Sequence, residues 1–360
     1  MKIAVILGTR PEIIKMAPVV RELKSNRVSY FILHTGQHYS YNLDRVFFEQ
    51  LRLQDAKYNL EIGSGSHAEQ TGKILIGVAK VLEIEKPDIV LVEGDTNSVF
   101  AGALAAVKLH ISVGHVEAGL RSYDKQMPEE INRILTDHCS DYLFAPTPKA
   151  RQILLGEGII EEKVFVTGNT IVDAVYQNLE IARETGNFLN TLHLTPGEYF
   201  LVTLHRQENV DNPARLAPIL EGLERVAAEF RLPVIYPIHP RSRKMMSRFE
   251  LEPQKLTLIE PVDFLGFLQL ESNARLILTD SGGVQEEACI LKIPCVTLRD
   301  NTERPETIEV GANILAGASS DKIIVCVRLM LTRENIWTNP FGDGKAGERI
   351  VEIIVGDEHG

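Results

Sequence analysis

Short apolar, β-branched runs alternate with helix-patterned segments along the whole chain, and the alternation restarts once. The runs cover residues 3–7, 30–34, 88–92, 111–115, 142–145 and 164–167, and then 199–203, 234–237, 256–259, 276–278 and 295–298. Strands that are buried on both faces and separated by helices are typical of parallel sheets made of right-handed βαβ units. The sequence therefore predicts an α/β protein with two doubly wound, Rossmann-like domains.

The length of 360 residues supports two domains, because single hydrophobic cores stop growing near this size. We predict an N-terminal domain over residues 1–168 and a C-terminal domain over 169–344. A closing helix within 345–360 is expected to pack back on the N-terminal domain. Ligands of open α/β sheets bind outside the carboxyl ends of the strands, so two sheets with facing strand ends predict a binding cleft.

Composition narrows the classes of partner and compartment. The formal net charge of -11 argues against nucleic acid, because binding a phosphate backbone requires a surplus of Lys and Arg. No apolar stretch has the length of a membrane span, and the apolar start resembles a first strand more than a signal peptide. The cysteines lack Cys-x-x-Cys spacing, so we expect buried thiols in a reducing cytoplasm, without a zinc site or a disulfide framework.

Polar and glycine-rich clusters follow several predicted strands at their carboxyl ends. The clusters are Gly8-Thr9-Arg10, Gly94-Asp95-Thr96, residues 115–121, residues 205–209 and Asp280-Ser281-Gly282-Gly283. Fold stability gives no reason for ionisable groups to collect at the strand ends of both sheets. A ligand-binding site at this edge explains their position.

The turn Ser281-Gly282-Gly283 opens a helix-patterned segment in the second half. Free backbone N–H groups and the positive end of a helix dipole form an anion site, and glycines allow a phosphate to approach the backbone. A plain helix cap by Asp280 or Ser281 is the alternative. Glu287, one turn further, favours nucleotide binding, because its carboxylate can accept hydrogen bonds from ribose hydroxyls.

The turn after the first predicted strand carries a cation in place of the Gly-x-Gly-x-x-Gly spacing of nicotinamide enzymes. Arg10 precedes a helix that starts at Pro11, and Lys15 lies in its opening turns. Arg304 lies in a polar loop of the second half, where it could complete a diphosphate clamp. The alternatives are a solvated lysine and an exposed ion-pair partner.

Four residues are candidates for proton transfer: Asp95, Glu117, Glu129 and His205. Such chemistry requires groups whose pKa values can be separated by burial and neighbouring charge. Two alternatives stay open at this point. Glu129 and Arg133 share a helix face at i, i+4 spacing and could form an ion pair, and Asp95 could cap the helix that follows it.

Seven motifs in order resemble the non-hydrolysing UDP-N-acetylglucosamine 2-epimerases, in particular their archaeal-type members, from Lys2 to about Ile354. They are Gly8-Thr9-Arg10-Pro11-Glu12 with Lys15, Gly94-Asp95-Thr96, His115-Val116-Glu117-Ala118-Gly119-Leu120-Arg121, Pro128-Glu129-Glu130 with Asn132-Arg133, His205-Arg206 with Glu208-Asn209, Asp280-Ser281-Gly282-Gly283 with Gln285-Glu286-Glu287, and Thr302-Glu303-Arg304-Pro305-Glu306. The resemblance implies the two-domain GT-B fold, usually a homodimer, and catalysis without metal or nicotinamide.

The resemblance also implies roles for individual residues. The catalytic group would comprise Asp95, Glu117, Glu129 and His205. The UDP-binding residues would be Arg10, Lys15, His239, Ser281, Gly282, Gly283, Glu287 and Arg304, with Phe267 beside uracil. A second, activating UDP-N-acetylglucosamine would bind Gln37, His38, Gln70 and Arg206. The chain departs from bacterial members at Val262, where some carry a polar residue, and at Gln207, where a second arginine is common.

The implied reaction is reversible epimerisation of UDP-N-acetylglucosamine to UDP-N-acetylmannosamine at carbon 2. UDP would be eliminated to give 2-acetamidoglucal and then added back. The sequence does not assign which carboxylate is base and which is acid. Alternatives are an epimerase of a UDP-diacetamido-uronic acid, a hydrolysing epimerase, a GT-B glycosyltransferase and a non-catalytic sugar-nucleotide sensor.

Overall fold

The computed structural model describes residues 1–37 and 41–356 and divides into two compact units. The first unit comprises Met1–Gln177 together with the segment from Phe341 onward, and the second comprises Asn178–Pro340. The boundary between Gln177 and Asn178 therefore falls within a helix that spans Thr170–Glu184. The sequence predicts the domain boundary after residue 168.

Seven parallel strands form the sheet of the first unit. They are β1 (Lys2–Leu7), β2 (Ser29–His34), β3 (Tyr58–Asn59), β4 (Ile89–Glu93), β5 (Ser112–Val116), β6 (Tyr142–Ala145) and β7 (Val164–Val166). Their spatial order is β3-β2-β1-β4-β5-β6-β7. The order reverses between β1 and β4, and such a switch point is where doubly wound sheets bind ligands.

The second unit repeats this topology with six parallel strands. They are β8 (Phe200–Thr203), β9 (Val234–Pro237), β10 (Thr257–Ile259), β11 (Leu276–Thr279), β12 (Cys295–Thr297) and β13 (Asn313–Leu315). Their spatial order is β10-β9-β8-β11-β12-β13, so the switch point lies between β8 and β11. The predicted class of two doubly wound α/β domains is confirmed.

Helices connect the strands in both units. They are α1 (Arg10–Ser25), α2 (Tyr41–Gln50), α3 (His67–Glu85), α4 (Asn97–Lys108), α5 (Pro128–Cys139), α6 (Pro148–Gly156), α7 (Thr170–Glu184), α8 (Phe188–Thr191), α9 (Gln207–Val210), α10 (Pro213–Phe230), α11 (Pro240–Arg248), α12 (Phe264–Ser272), α13 (Gly282–Ile290), α14 (Pro305–Glu309), α15 (Ser320–Thr332) and α16 (Ala346–Gly356). Within the described ranges, no helix combines the length and the apolar character needed to cross a membrane.

The last helix, α16, packs against α1 in the first unit. The carboxylate of Asp173 in α7 accepts the backbone N–H groups of Ala346 and Gly347 at 3.1 and 2.9 Å. Because the first N–H groups of a helix have no partner within it, this contact caps α16. A Cβ on Gly347 would lie 3.1 Å from the backbone carbon of Pro18 in α1, so the helices approach closely.

Candidate active site

Gly8 directly follows β1 and is closely packed beside the switch point of the first sheet. A Cβ on this residue would lie 2.0 Å from Oγ of Ser98 and 2.4 Å from Oγ1 of Thr35. No larger residue fits without a shift, so the end of β1 packs directly against the first turn of α4. This close packing places the turn before α1 beside the start of α4.

Lys15 joins two carboxyl groups in the first unit. Its Nζ lies 2.5 Å from Oε2 of Glu117 and 3.2 Å from Oε1 of Glu93. Asn169 donates a hydrogen bond of 3.0 Å to the other oxygen of Glu117. The Lys15 side chain is only 15% exposed. It is therefore not the solvated lysine that the sequence left open, and its predicted contact with UDP stays a prediction.

Two carboxyl groups beside this cluster have perturbed acidity. Burial raises the pKa of Glu93 well above its ordinary value; the Lys15 ammonium opposes this shift and the Glu117 carboxyl adds to it. Burial also raises the pKa of Glu12 to about 7, although its carboxylate accepts the backbone N–H of Gly8. Acids with raised pKa values beside a cation are typical of functional sites.

Asp95 pairs with Arg133 and does not cap the following helix. Nη2 of Arg133 lies 2.5 Å from Oδ2 of Asp95, and Nη1 lies 2.7 Å from Oε2 of Glu130. Thr96 provides the side-chain cap of α4. Glu129 stands half-buried in the first turn of α5, where it has no hydrogen bond or ion pair with the described residues. Both alternative interpretations of these carboxylates are therefore wrong.

His115 fixes the turn that precedes Asp95. Its Nδ1 lies 2.7 Å from Oδ1 of Asp137, and its Nε2 lies 2.8 Å from the carbonyl oxygen of Gly94. Arg121 approaches the second oxygen of Asp137 at 2.7 Å. The histidine and arginine of the motif over residues 115–121 thus hold a buried carboxylate, while Glu117 of the same motif contacts Lys15.

The predicted activating-site residues of the first unit are part of a buried hydrogen-bond network. Gln37 and Gln70 are 4% and 5% exposed. The side-chain oxygen of Gln37 accepts the N–H and the hydroxyl of Ser98, and Gln70 donates to the backbone oxygen of Gln37 and accepts from Asn97. His38 lies outside the described residues. Binding of a second nucleotide here stays a prediction.

In the second unit, Asp280 joins the ends of β8 and β11. Its carboxylate accepts the backbone N–H groups of His205 and Arg206 at 3.1 and 2.9 Å, and the side-chain amide of Asn209 at 3.2 Å. Four polar residues from two sequence motifs thus meet at the switch point. Arg206, predicted for the activating site, also lies 3.8 Å from Glu303.

His205 is the partly exposed end of this arrangement. Its ring lies 5.9 Å from the ring of His239, and its Nδ1 lies 3.4 Å from Oδ1 of Asp280. Burial lowers the pKa of His205, with Asp280 opposing and His239 and Arg206 adding to the shift. Nδ1 of His239 accepts the N–H of Arg241 at the start of α11, so its Nε2 carries the hydrogen when the ring is neutral.

Ser281, Gly282 and Gly283 form the start of α13, which directly follows β11. Ser281 is the N-cap and accepts the N–H of Val284 at 3.5 Å. A Cβ on Gly282 or Gly283 would meet nothing closer than 3.5 Å. The cap interpretation is therefore correct for Ser281, and there is room for a group larger than hydrogen beside both glycines at the positive end of a helix dipole.

Glu287 lies further along α13 and is paired with a second acid. Burial raises its pKa to about 7, a hydrogen bond from Glu271 opposes the shift, and Glu286 adds to it. The buried Glu271 has a pKa raised well above its ordinary value by burial and by Glu287. Phe267, in the neighbouring α12, is partly buried against the apolar core that includes residues of β8 and β11.

The two predicted clamp arginines both have carboxylate partners. Nε of Arg10 lies 3.1 Å from Oδ1 of Asp44, and its guanidinium lies 5.0 Å from the ring centre of Phe47. Nε of Arg304 lies 2.8 Å from Oε1 of Glu286. These contacts orient both guanidiniums. Whether either binds phosphate stays a prediction.

The comparison with known proteins decides the family. The family model described as UDP-N-acetylglucosamine 2-epimerase matches residues 21–355. The chain belongs to the UDP-N-acetylglucosamine 2-epimerase family. The family resemblance inferred from the seven sequence motifs is therefore confirmed.

Individual members of the family match nearly the whole chain. The UDP-N-acetylglucosamine 2-epimerase of Methanocaldococcus jannaschii is 59% identical over 98% of this chain and 99% of its own. A solved structure of the enzyme from that organism, in complex with UDP-GlcNAc and UDP, is 58% identical, with a TM-score of 0.86 over 99% of this chain and 100% of its own. The UDP-2,3-diacetamido-2,3-dideoxy-D-glucuronate 2-epimerase of Pseudomonas aeruginosa is 42% identical over 98% of this chain and 99% of its own.

Sequence reasoning missed several polar residues of this epimerase-family site. Glu93, Asp137, Asn169 and Glu271 are buried and contact predicted site residues or their loops. One signal was available for Glu93: it ends an apolar strand run and directly precedes the Gly94-Asp95 turn. Asp137, Asn169 and Glu271 lie within helix or loop segments, where the spacing of residues does not distinguish them from ordinary polar positions.

Proposed function

We propose that this chain catalyses the reversible epimerisation of UDP-N-acetylglucosamine to UDP-N-acetylmannosamine at carbon 2. One observation carries the proposal. Asp95 and Glu117 follow the adjacent strands β4 and β5 next to the switch point between β1 and β4, and each is held by a cation, Arg133 or Lys15. Two oriented acids at a ligand-binding edge are suited to proton transfer. The names of two relatives that are 59% and 55% identical to this chain agree with this substrate.

The proposed chemistry proceeds by elimination and re-addition. The hydrogen on carbon 2 is weakly acidic, because the acetamido group is attached through nitrogen and gives no enolate. A carboxylate takes this proton while the bond from carbon 1 to the UDP oxygen breaks, and the electron pair of the C–H bond forms the C1–C2 double bond of 2-acetamidoglucal. UDP then bonds again to carbon 1, and carbon 2 receives a proton on the opposite face. The reaction is redox-neutral, so it requires no nicotinamide.

The residues divide into two groups in this proposal. Asp95, Glu117 and Glu129 move the proton, and His205 assists the leaving oxygen or orients the sugar. The departing diphosphate is stabilised by preorganised positive charge, and the nucleotide is bound by Arg10, Lys15, His239, Phe267, Ser281, Gly282, Gly283, Glu287 and Arg304. The room beside Gly282 and Gly283 at the start of α13 supports the diphosphate assignment.

Three further parts of the proposal rest on the resemblance. A second UDP-N-acetylglucosamine would activate the enzyme, which predicts sigmoidal dependence of rate on substrate concentration. The protein would be a homodimer, which light scattering tests. It would act in the cytoplasm, and the four free cysteines agree with a reducing compartment.

The deciding experiment is incubation of the purified chain with UDP-N-acetylglucosamine in deuterated water, followed by proton NMR. We expect UDP-N-acetylmannosamine with deuterium at carbon 2. Product without deuterium would exclude the proton exchange. Free N-acetylmannosamine with UDP would indicate hydrolysis, turnover only with an added acceptor would indicate a glycosyltransferase, and binding without turnover would indicate a sensor.

A second candidate substrate is a UDP-diacetamido-uronic acid, favoured by the relative from Pseudomonas aeruginosa. A substrate panel with both nucleotides separates the two. We expect a higher kcat/KM for UDP-N-acetylglucosamine, and a higher value for the uronic acid would reverse the assignment.

A further inference from the structure

The end of strand β4 carries a buried acid, Glu93, for which the proposed reaction has no step. Its carboxyl group is 2% exposed and lies 3.2 Å from Nζ of Lys15. Glu117 contacts the same ammonium at 2.5 Å, so two carboxyl groups share one cation. Three ionisable side chains thus form one compact cluster.

Two ionised carboxylates around one ammonium would leave an unbalanced negative charge in a buried cluster. A carboxyl group that keeps its proton is neutral and can donate a hydrogen bond to a neighbouring carboxylate. Glu93 is the more deeply buried of the two, and Glu117 has the closer contact with Lys15. Burial disfavours ionisation, and the nearer cation favours the ionised form of Glu117. The proton therefore belongs on Glu93.

We propose that Glu93 is a positioning residue that stays protonated and donates a hydrogen bond to Glu117, so that Glu117 and Lys15 form one charge-balanced pair. This inference rests on the proposed function of Glu117. A neutral donor at Glu93 fixes the direction of the Glu117 carboxylate without a second negative charge. Asn169 fixes the other oxygen of Glu117. The Glu117 carboxylate is thereby oriented through both of its oxygens.

The proposal predicts a particular pH dependence. The charged or titratable groups that face Glu93 are Lys15 and Glu12 from α1 and Glu117 from the end of β5. The pKa of Glu93 is raised by burial, so the group loses its proton only as the pH rises. Ionised Glu93 would repel Glu117 and compete for Lys15, and kcat should then fall.

The test compares E93Q with E93L. Glutamine keeps a neutral donor of the same shape, whereas leucine keeps the volume and removes the donor. We expect kcat of E93Q within about threefold of wild type at neutral pH, without the fall at alkaline pH. E93L should lose about tenfold to a hundredfold in kcat, roughly the effect of one hydrogen bond to a charged acceptor, with little change in KM. E83Q, at an exposed position of α3, is the matched control.

Infrared spectroscopy provides a readout that is independent of turnover. The difference spectrum of wild type minus E93Q at neutral pH should contain the C=O band of a protonated carboxylic acid. Absence of this band overturns the proposal, as does an E93Q variant that is impaired as strongly as E93L. If wild type fails to epimerise the substrate, the proposed function is wrong, while the infrared result still decides the protonation of Glu93.

Discussion

The carboxylate of Asp280 accepts the backbone N–H of His205 with both oxygens, each at 3.1 Å. This contact ties the loop after β8 to the end of β11 at the switch point of the second unit. Because Asp280 is completely buried, its carboxylate anchors the loop that carries His205 from inside the second unit. Several consequences of such anchoring contacts can be measured.

Replacement of Asp280 should destabilise the protein. D280A leaves the backbone N–H groups of His205 and Arg206 without their carboxylate acceptor and removes one of the two acceptors of the Asn209 amide. We expect a loss of roughly 2 to 4 kcal/mol in the free energy of unfolding, measured by urea denaturation. D300A removes an exposed partner of Arg215 and should change stability by less than about 0.5 kcal/mol. Equal effects of the two variants would contradict the anchoring role.

Loss of Arg133 should reduce turnover more than substrate binding. R133M removes the 2.5 Å contact with Asp95. The start of α5 should stay in place, because Glu130 still accepts the backbone N–H groups of Ser122 and Tyr123. We therefore expect kcat to fall by roughly tenfold to a hundredfold with little change in KM.

R133K restores a charge without the planar fork and should recover part of the lost rate. R183M breaks an exposed ion pair with Glu180 and is the control. A rise in KM with unchanged kcat in R133M would show that Arg133 serves binding and not the orientation of Asp95.

The affinity for UDP-N-acetylglucosamine should depend on the ionisation of Glu287. Burial raises the pKa of this carboxyl to about 7, so it is mainly protonated at pH 6 and mainly ionised at pH 8. Only the ionised form accepts hydrogen bonds with both oxygens. We expect binding to weaken roughly fivefold to tenfold from pH 8 to pH 6, measured by isothermal titration calorimetry. E287Q should bind more weakly at pH 8 and lose this dependence, and an equal pH dependence in E287Q would assign it to another group.

Stability should fall with rising pH because of Glu12. Its pKa is about 7 in the folded protein, raised by burial from an ordinary value of 4.5. Between these values the folded state binds more protons than the unfolded state, so the free energy of unfolding decreases as the pH rises. The full cost above pH 7 is on the order of 3 kcal/mol.

E12Q removes this cost, since glutamine stays neutral and its oxygen can still accept the N–H of Gly8. We expect E12Q to be more stable than wild type at pH 8 and nearly equal to it at pH 4.5, by chemical denaturation at both pH values. E162Q, at an exposed position, should not alter the pH dependence. A wild-type stability that rises from pH 5 to pH 8 in parallel with E12Q would contradict the assignment to Glu12.

The sequence alone determined the α/β class, both doubly wound sheets and the family. Strands buried on both faces leave continuous apolar runs, and parallel connections place each following cluster at the same edge of the sheet. The edge strands β3 and β13 were missed, because their two and three residues each include an asparagine and form no continuous apolar run.

Only the tertiary structure decided which polar groups meet. Helical spacing suggested Glu129 as the partner of Arg133, whereas Arg133 contacts Glu130 and Asp95. The contact between Glu93 and Lys15 joins two residues that are remote in sequence, so only the structure shows it. The physical reason is that the spacing of apolar residues along a helix or strand predicts only which face of that element is buried. Ion pairs and shared protons depend on distances between elements, which the packing of the sheet and helices sets.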